Sequence, residues 1–340
     1  MNISSITFPS VFESSFGNTE NSSRDLLNGM KIKNNNSWYL VGNLAKEGGI
    51  NPHRVINATP DDEDYEILFK SALLNVVDSL QQPAYVTVGF PYSTYNAYKE
   101  MAERFLSRKT FELEYDSQTY QSKGSNRKSL LELEKFEVVP EIVGGIIGIK
   151  KTVPQPPKSF IAVSIGFGTL EGGMATAAGL VQRTCFSAHG IRYAINNLTR
   201  ELSKKYFLEM KNEHQLDDAF AKGFLFINRK NIDIKSLRKE ILHLYYKEVI
   251  SPLFRKYLTD LDFENCEKIY IIGGGAYYQD LIDAFNEEFK DVMPVEIAPQ
   301  PEKMASIGYL YNSYRLSEDQ PEKCIGIDLG NSSTIVSTFS

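Results

Sequence analysis

The sequence predicts an α/β protein with two domains, on three observations. At 340 residues the chain is longer than one hydrophobic core usually serves, so two cores are expected. Strand-like runs alternate with amphipathic helical patterns, as in α/β folds. The segments IGIDLGNSST at 325–334 and IAVSIGFGTL at 161–170 match in their apolar positions, glycine and following hydroxyl residues. Such a repeat indicates a duplicated architecture.

The first half of the chain begins with the strand pattern ITFPSVF. We expect the polar residues 14–36 to form a loop and WYLVGNLA to form a strand. Apolar residues at helical spacing predict helices over 61–80 and 93–108, on either side of the buried strand AYVTVGFP. TFELEY and SLLELEKFEVV follow as two strands joined by a polar turn.

The proline- and lysine-rich segment KKTVPQPPKS separates two apolar strand runs and predicts a domain boundary or a long surface loop. Beyond it, the pattern predicts helices over 188–206, 234–258 and 278–289. The strand IYIIGGG precedes the last of these helices.

Composition excludes several classes of function. Lys and Arg number 37 against 43 Asp and Glu, which argues against a basic nucleic-acid or membrane patch. Cys185, Cys266 and Cys324 are far apart, so we expect reduced thiols rather than disulfides or a zinc site. The four histidines stand in no metal-binding pattern. With no signal-peptide or membrane-spanning pattern, we expect a cytoplasmic protein.

The repeated glycine turns are suited to binding phosphate. A glycine turn lets backbone N–H groups and small hydroxyls converge without an intervening side chain. The candidate phosphate ligands of the segment 325–334 are Gly330, Asn331, Ser332 and Ser333. Those of the segment 161–170 are Ser164, Gly166, Phe167, Gly168 and Thr169. A third glycine run, Gly273, Gly274 and Gly275, would let an adenosine approach the backbone closely.

Together these motifs resemble the superfamily of actin, sugar-kinase and heat-shock-chaperone ATPases, and within it the ParM-like plasmid-partition actins. IGIDLGNSST is similar to the first phosphate motif, SIGFGTLEGG to the second and IYIIGGGA to the adenosine motif. The resemblance implies a duplicated, ribonuclease H-like, actin-like fold. Its domain I would comprise residues 1–155 and 321–340, and its domain II residues 156–320. ATP or GTP with Mg²⁺ would lie in a cleft between the domains.

The order of the motifs departs from that family. The first phosphate motif usually opens the chain, whereas here it lies at 325–334, beyond the helical segment EKMASIGYLYNSYRL. We therefore expect a circular permutation, with SEDQPEK as the linker that joins the former ends. It predicts that IVSTFS pairs antiparallel with ITFPSVF in one sheet.

Three acidic positions are the candidates for chemistry. Asp328 ends an apolar strand and would hold Mg²⁺ through water; the alternative is a carboxylate that caps its own turn. Glu141, in the segment VVPEIVGG, would orient the attacking water, or is a solvent-facing loop acid. Ser164 stands where most relatives carry Asp, and Glu171 could compensate as a further metal-site acid or be an exposed strand residue.

The resemblance implies an actin-like, filament-forming ATPase of low turnover, in plasmid segregation or intracellular organisation. Its partners would be further copies of itself and an adaptor protein, with no direct nucleic acid and no membrane. Two alternatives stay open: a small-molecule kinase of the same superfamily, and an ATP-binding adaptor that does not polymerise, which the neutral Ser164 favours.

Overall fold

The computed structural model describes residues 1–15, 20, 23–54, 56–206 and 212–340. In this part of the chain the strands, in order, are β1 Ile3–Pro9, β2 Val11–Ser14, β3 Lys31–Asn34, β4 Ser37–Val41, β5 His53–Arg54, β6 Ala84–Phe90, β7 Thr110–Asp116, β8 Asn126–Pro140, β9 Phe160–Ile165, β10 Thr169–Thr176, β11 Gly179–Leu180, β12 Phe186–His189, β13 Phe224–Ile227, β14 Lys230–Asp233, β15 Ile269–Ile272, β16 Val295–Ile297, β17 Cys324–Leu329 and β18 Ser333–Phe339.

The α-helices of the same residues are α1 Asn43–Gly48, α2 Glu63–Leu74, α3 Tyr92–Leu106, α4 Glu141–Thr152, α5 Arg192–Ser203, α6 Glu213–Lys222, α7 Lys235–Tyr245, α8 Ser251–Tyr257, α9 Asp260–Glu264, α10 Gln279–Phe289 and α11 Met304–Leu316. A π-helical turn, Tyr246–Ile250, joins α7 to α8 without a break. No helix of the described residues has the length and apolarity needed to cross a membrane.

The chain forms two compact units. Unit 1 comprises Met1–Phe90, Thr94–Lys151 and Ala305–Ser340, and unit 2 comprises Pro91–Ser93 and Thr152–Met304. The domain boundaries predicted from the sequence differ from this division chiefly in α11, which groups with unit 1. The reason is close packing: a Cβ on Gly326 of β17 would overlap the Ser306 carbonyl oxygen, so the α11 backbone lies directly on this strand.

Unit 1 is built on a sheet with the order β1-β18-β17-β6-β8-β7-β3-β4-β2-β5. Strand β18 pairs antiparallel with β17 on one side and with β1 on the other, in the register Ile3↔Phe339 to Pro9↔Ser333. The predicted pairing of IVSTFS with ITFPSVF is therefore confirmed.

Helix α2 supplies much of the core of unit 1. Its residues Ile67, Phe69 and Leu73 are fully buried, and the helix contacts β17 and β18. Phe69 also packs against Phe105 of α3, with 5.2 Å between ring centroids. Burial of each such side chain contributes about 1.5–3 kcal/mol, so this face of α2 fixes the helix against the sheet.

Unit 2 has a smaller sheet with the order β11-β10-β9-β15-β16, and β12 pairs with β10 beyond the end of β11. Strands β13 and β14 form a separate two-stranded ribbon. The inner strand β9 is buried at every position, as expected for a strand with parallel and antiparallel neighbours and covered faces.

The sheets of both units contain the same five-strand pattern. In unit 2 the five strands lie side by side in the order β12-β10-β9-β15-β16. Numbered by their order along the chain, these are the third, second, first, fourth and fifth strands of the pattern. Unit 1 fills the same positions with β1-β18-β17-β6-β8, so its first two strands in this pattern are β17 and β18. The duplicated architecture predicted from the repeat is confirmed.

Several expected elements differ in detail. The helix expected over 188–206 begins only at Arg192, because residues 186–189 pair with β10 as strand β12. The helix expected over 61–80 ends at Leu74. Within the loop expected over 14–36, residues 31–34 form β3, while 16–19 and 21–22 lie outside the described residues.

Candidate functional site

The first hairpin of the site consists of β17, the turn 330–332 and β18. Leu329 pairs with Thr334 and Asp328 with Ile335, which fixes a tight connection. A Cβ on Gly330 would lie 2.9 Å from the Ser333 carbonyl oxygen, so a larger residue would push against the turn. The strand, glycine turn and return strand predicted here are confirmed.

Ser10, which follows β1, holds this turn from one side. Its backbone N–H donates to the Ser332 carbonyl at 3.1 Å, and its hydroxyl donates to the Gly330 carbonyl at 2.6 Å. The same hydroxyl lies 3.0 Å from Thr334 Oγ1. These bonds direct two turn carbonyls toward Ser10.

Asn331 is held by a second contact. Its side chain accepts from the Asn57 backbone N–H at 2.7 Å and donates to Asn57 Oδ1 at 3.0 Å. The amide that was predicted to contact phosphate therefore anchors the loop at residue 57. A role for Asn331 in phosphate binding would use its backbone N–H.

The second hairpin, formed by β9, the turn 166–168 and β10, repeats the first closely. Ile165 pairs with Leu170 and Ser164 with Glu171, the same spacing as in the first hairpin. A Cβ on Gly166 would lie 3.1 Å from the Thr169 carbonyl oxygen, as on Gly330. At both glycines a Cβ would therefore press on the carbonyl oxygen of the residue three positions further along the chain.

The carbonyls of the second turn are also drawn to one side. The backbone N–H groups of Gly190, Ile191 and Arg192 donate to the carbonyls of Gly168, Gly166 and Phe167, at 3.0, 3.1 and 2.8 Å. Gly190 follows β12 as Ser10 follows β1, and it makes the equivalent backbone bond. In unit 1 the Ser10 hydroxyl replaces the Ile191 N–H. Because carbonyls repel phosphate, tying them back on one side favours anion binding on the other.

Asp328 and Glu141 lie at the carboxyl ends of parallel strands in unit 1. Strand β6 separates β17 from β8, with Ile327 opposite Val88 and Phe90 opposite Pro140. Glu141 is the first residue of α4, where the helix dipole favours a carboxylate. Ligands of α/β sheets bind at such carboxyl ends.

The two carboxylates interact electrostatically. The pKa of Asp328 lies well above the ordinary carboxyl value, first because burial disfavours its charged form and second because the Glu141 charge opposes it. A carboxylate with a raised pKa next to a second acid is a site where a cation would relieve repulsion. Among the described residues no three His, Cys, Asp or Glu side chains are grouped to hold a metal ion. A single carboxylate is enough for Mg²⁺, which keeps most of its water ligands when it binds a nucleotide.

Glu171 lies directly across the β9–β10 pair from Ser164, with both side chains on one face of the sheet. It is fully buried, so the alternative of an exposed strand residue is wrong. One carboxylate oxygen accepts a hydrogen bond from the backbone N–H of Tyr92. Burial raises the pKa of the nearby Cys185 to about 11; a hydrogen bond with Tyr92 opposes this and the Glu171 charge adds to it. Unit 2 thus carries its carboxylate one strand away from the position of Asp328 in unit 1.

The third glycine run follows β15 and precedes α10. Gly273 has a positive φ of 82° and a Cβ there would lie 2.6 Å from the Ile165 carbonyl oxygen, while a Cβ on Gly275 would overlap the Ile165 side chain. Packing against β9 therefore explains these two glycines. Gly274 is exposed and a Cβ on it would meet nothing within 4 Å, so it leaves room for a ligand.

Comparisons with known proteins agree on the architecture. A family model described as the N-terminal domain of actin-like proteins matches residues 2–144. Ta0583, an archaeal actin homolog, matches with a TM-score of 0.71 at 17% identity, over 91% of this chain and 92% of that one. A non-polymerisable quadruple mutant of pCBH ParM matches with a TM-score of 0.72 at 19% identity, over 91% and 92%. The fold is actin-like. No curated protein matches the chain by sequence.

The same actin-like fold occurs in MreB5 of Spiroplasma citri, with a TM-score of 0.60 at 14% identity over 85% of this chain and 89% of that one. In each unit of this chain, the fold gathers the predicted residues at the hairpin turns. In unit 1 it brings together the predicted acids Asp328 and Glu141. Their roles in binding and hydrolysis stay predictions.

Sequence reasoning missed Ser10 and Gly190, which hold the turns of the actin-like hairpins. It also left unassigned the side chains near the third glycine run. There Tyr278 packs edge-on against Phe220, with ring centroids 5.2 Å apart, and the Arg238 guanidinium lies 5.8 Å from the Tyr278 ring. A glycine between a strand and a helix was the available signal for Gly190, whereas no local pattern marks Ser10.

Proposed function

We propose that this chain is an ATPase that assembles into filaments and that its assembly depends on the bound nucleotide. The observation that carries the proposal is the duplication of the hairpin, including the same spacing, the same glycine contact and the same backbone bond from Ser10 or Gly190. Two turns with their carbonyls tied back offer backbone N–H groups and hydroxyls suited to a polyphosphate.

Nucleotide binding is supported by relatives of the same fold. Ta0583 has been solved in complex with ADP, at a TM-score of 0.64 and 17% identity over 92% of both chains, and MreB5 of Spiroplasma citri is bound to ADP. We propose ATP or GTP as the ligand here. Gly330, Ser332 and Ser333 would donate to phosphate from unit 1, and Gly166, Phe167, Gly168 and Thr169 from unit 2.

The acids would divide the work of hydrolysis. Asp328 would accept hydrogen bonds from water bound to Mg²⁺, and its deprotonation would be favoured once positive charge is present. Magnesium, when bound to the nucleotide, neutralises phosphate charge. Glu141, at the amino end of α4, would orient the attacking water. Glu171 would supply, beside Ser164, the negative charge that Ser164 lacks.

To test hydrolysis, the carboxylate of the second hairpin is moved from residue 171 to residue 164 by a double substitution. Ser164→Asp combined with Glu171→Ser moves the acid to the paired position on the neighbouring strand. We expect phosphate release close to that of the wild type, whereas Glu171→Ser alone should lower it at least about tenfold. Equal activity of wild type and Glu171→Ser would remove Glu171 from the reaction.

The non-hydrolysing adaptor is the second candidate, and Ser164 is the observation that favours it. A buried neutral hydroxyl cannot replace a carboxylate in charge. If tight nucleotide binding accompanies no phosphate release in the wild type, and Ser164→Asp creates release, the adaptor is the better description. Addition of candidate sugars to the same assay tests a kinase.

Self-association is supported by relatives that assemble. A 15-stranded ParM filament from Clostridium botulinum matches with a TM-score of 0.69 at 19% identity, and an Alp12 filament with 0.54 at 13%. We expect sedimentation with ATP above a critical concentration and a higher critical concentration with ADP. A single small species at all concentrations would exclude the filament. Plasmid segregation or intracellular organisation, with an adaptor protein, would be its use.

We also propose that the chain is circularly permuted relative to the actin-like family. The support is internal: the five-strand pattern runs in chain order in unit 2 but starts at β17 in unit 1. A gene that joins residue 340 to residue 1 through a short linker and opens at 318–320 should give a folded protein with the same nucleotide affinity. Failure of that protein to fold would count against the permutation.

A further inference from the structure

The ribbon β13–β14 exposes an aromatic face in unit 2. Phe224 and Phe226 are 42% and 53% exposed, while Leu225 and Ile227 on the other face are buried. The sequence FLFI is thus apolar on both faces, as in strands that are covered on both sides. Neighbouring exposed aromatic side chains are typical of surfaces that contact other proteins, and this pair is a candidate for such a contact.

Cations lie at both ends of strand β13, Lys222 before it and Arg229 and Lys230 after it. Residues 222–230 carry Lys222, Arg229 and Lys230, all exposed, and no carboxylate. Asp233 of β14 stands directly opposite Phe224, on the aromatic face, and its carboxylate accepts a hydrogen bond from the Lys235 backbone N–H at 2.8 Å, at the start of α7. We call residues 222–230 the aromatic ribbon.

A surface of opposite character lies elsewhere in unit 2. Leu261 and Val292 are 61% and 55% exposed. They stand in two segments, 260–264 and 287–292, which together carry six carboxylates and the single cation Lys290. Phe263 and Phe289 join these segments, with ring centroids 5.9 Å apart. We call this surface the acidic end.

Two further cations near the acidic end are engaged within the unit. Arg255 donates to the Ser251 hydroxyl at 3.3 Å, and the Lys256 ammonium lies 4.9 Å from the centre of the Tyr257 ring. Asp262, one of the six acids, is bound by Arg183 at 2.8 Å. Lys290 pairs with Glu287 at 2.9 Å. The other exposed acids of these two segments are Asp260, Glu264 and Asp291.

The long helix 235–257 separates the two surfaces. At its start, Arg238 donates to the carbonyls of Phe220 and Ala221, next to the aromatic ribbon. Near its end, Phe254 packs against Phe289 of the acidic end, with centroids 4.9 Å apart. The 16 steps along the helix from residue 238 to residue 254 span about 24 Å at ~1.5 Å per residue. The surfaces therefore lie near opposite ends of this helix.

We infer that the aromatic ribbon of one copy binds the acidic end of the next copy. The charges are complementary, each surface has an exposed apolar centre, and their placement at opposite ends makes the contact head-to-tail. A heterologous contact of this kind propagates unless its rotation closes a ring. The inference rests on the proposed filament and assigns the surfaces that would form it.

Charge reversal followed by mixing tests this contact. Arg229→Glu with Lys230→Glu reverses the ribbon, and Glu287→Lys with Asp291→Lys reverses the acidic end. Each variant alone should raise the critical concentration at least about tenfold, which corresponds to ~1.4 kcal/mol per contact. An equimolar mixture should assemble again, because every contact in an alternating polymer is then complementary. Lys123→Glu, at an exposed position of unit 1, is the matched control and should sediment like the wild type.

Cross-linking gives a readout that does not need a filament. The native cysteines Cys185, Cys266 and Cys324 are buried, so Phe226→Cys and Val292→Cys introduce the accessible thiols. A bismaleimide should give a ladder of oligomers with the double variant and at most dimers with either single variant.

The outcomes separate the two proposals. If the wild type sediments with ATP and both charge variants sediment equally well, the assigned surfaces are wrong and the filament stands. If the wild type never sediments, the filament is wrong. In that case a ladder at high protein concentration still supports the contact, and its absence overturns it.

Discussion

Replacing Ser10 with alanine should loosen the first hairpin. The hydroxyl is fully buried, donates to the Gly330 carbonyl at 2.6 Å and lies 3.0 Å from Thr334 Oγ1. Without it, the Gly330 carbonyl and the fully buried Thr334 hydroxyl each lose a hydrogen-bond partner. An unsatisfied buried group costs about 1–3 kcal/mol, so we expect unit 1 to lose that much free energy of unfolding.

The chain offers a matched control and a local probe. Ser5, on the preceding strand β1, bonds Ser337 Oγ at 2.8 Å, but Ser337 also bonds Ser306 Oγ at 2.9 Å and keeps that partner. Ser5→Ala should therefore cost less than about 1 kcal/mol. The single tryptophan, Trp38, lies on β4 of unit 1, so urea unfolding followed by its fluorescence reports this unit.

Nucleotide affinity should separate the two variants further. Ser10 directs the carbonyls of the turn that is proposed to face phosphate, and Ser5 does not touch that turn. We expect weaker ATP binding for Ser10→Ala in isothermal calorimetry and unchanged binding for Ser5→Ala. Equal destabilisation by both variants, with equal affinities, would refute the assigned role of Ser10.

Other expectations concern the acids and the third glycine run. Asp328→Ala should weaken nucleotide binding at least about tenfold with Mg²⁺ and little with EDTA; an equal loss in both titrations would remove Asp328 from the metal role. The folded-state pKa of Asp328 is raised above 3.8, so the protonated carboxyl stabilises the fold and this stability is lost as the pH rises. Asp328→Asn should therefore have the melting temperature of the wild type at acid pH and a higher one at neutral pH. A difference in melting temperature that does not change with pH would contradict this. Glu141→Gln should bind ATP normally but release phosphate at least about tenfold more slowly, and unchanged release would leave it a structural helix-end acid. Gly274→Val should preserve the melting temperature and reduce affinity, whereas Gly275→Ala should unfold at lower temperature; the reverse order would exclude Gly274 as the ligand contact.

The sequence predicted the elements that depend on local pattern. The apolar alternation and glycine of 325–334 and 161–170 were sufficient for both hairpins, because strand, turn and return strand are encoded within ten residues. The pairing of β18 with β1 followed from the order of motifs. Asp328 lies near the end of β17 and Glu141 directly follows β8, and such ends of parallel strands meet at one edge of a sheet.

Features that depend on distant partners were beyond reach. Ser10 acquires its role from Gly330, which is 320 positions away in the chain. Residues 186–189 continue into a helical pattern, and only their pairing with β10 makes them a strand. Glu171 lies in a strand that is buried on both faces, so alternation could not distinguish an inward from an outward side chain.

The pairing of β1 with β18 also constrains how the protein is made. In the sheet of unit 1, residues 3–9 pair with residues 333–339. This pairing can form only after the ribosome has translated at least 339 residues. At about 5–20 residues per second this takes roughly 17–70 s. Apart from residues 91–93, unit 2 is one continuous segment, 152–304, and can fold earlier during synthesis. Until then, the apolar strands of unit 1 that are already translated stay exposed. Chaperones that bind during translation should therefore bind mainly to its first 150 residues.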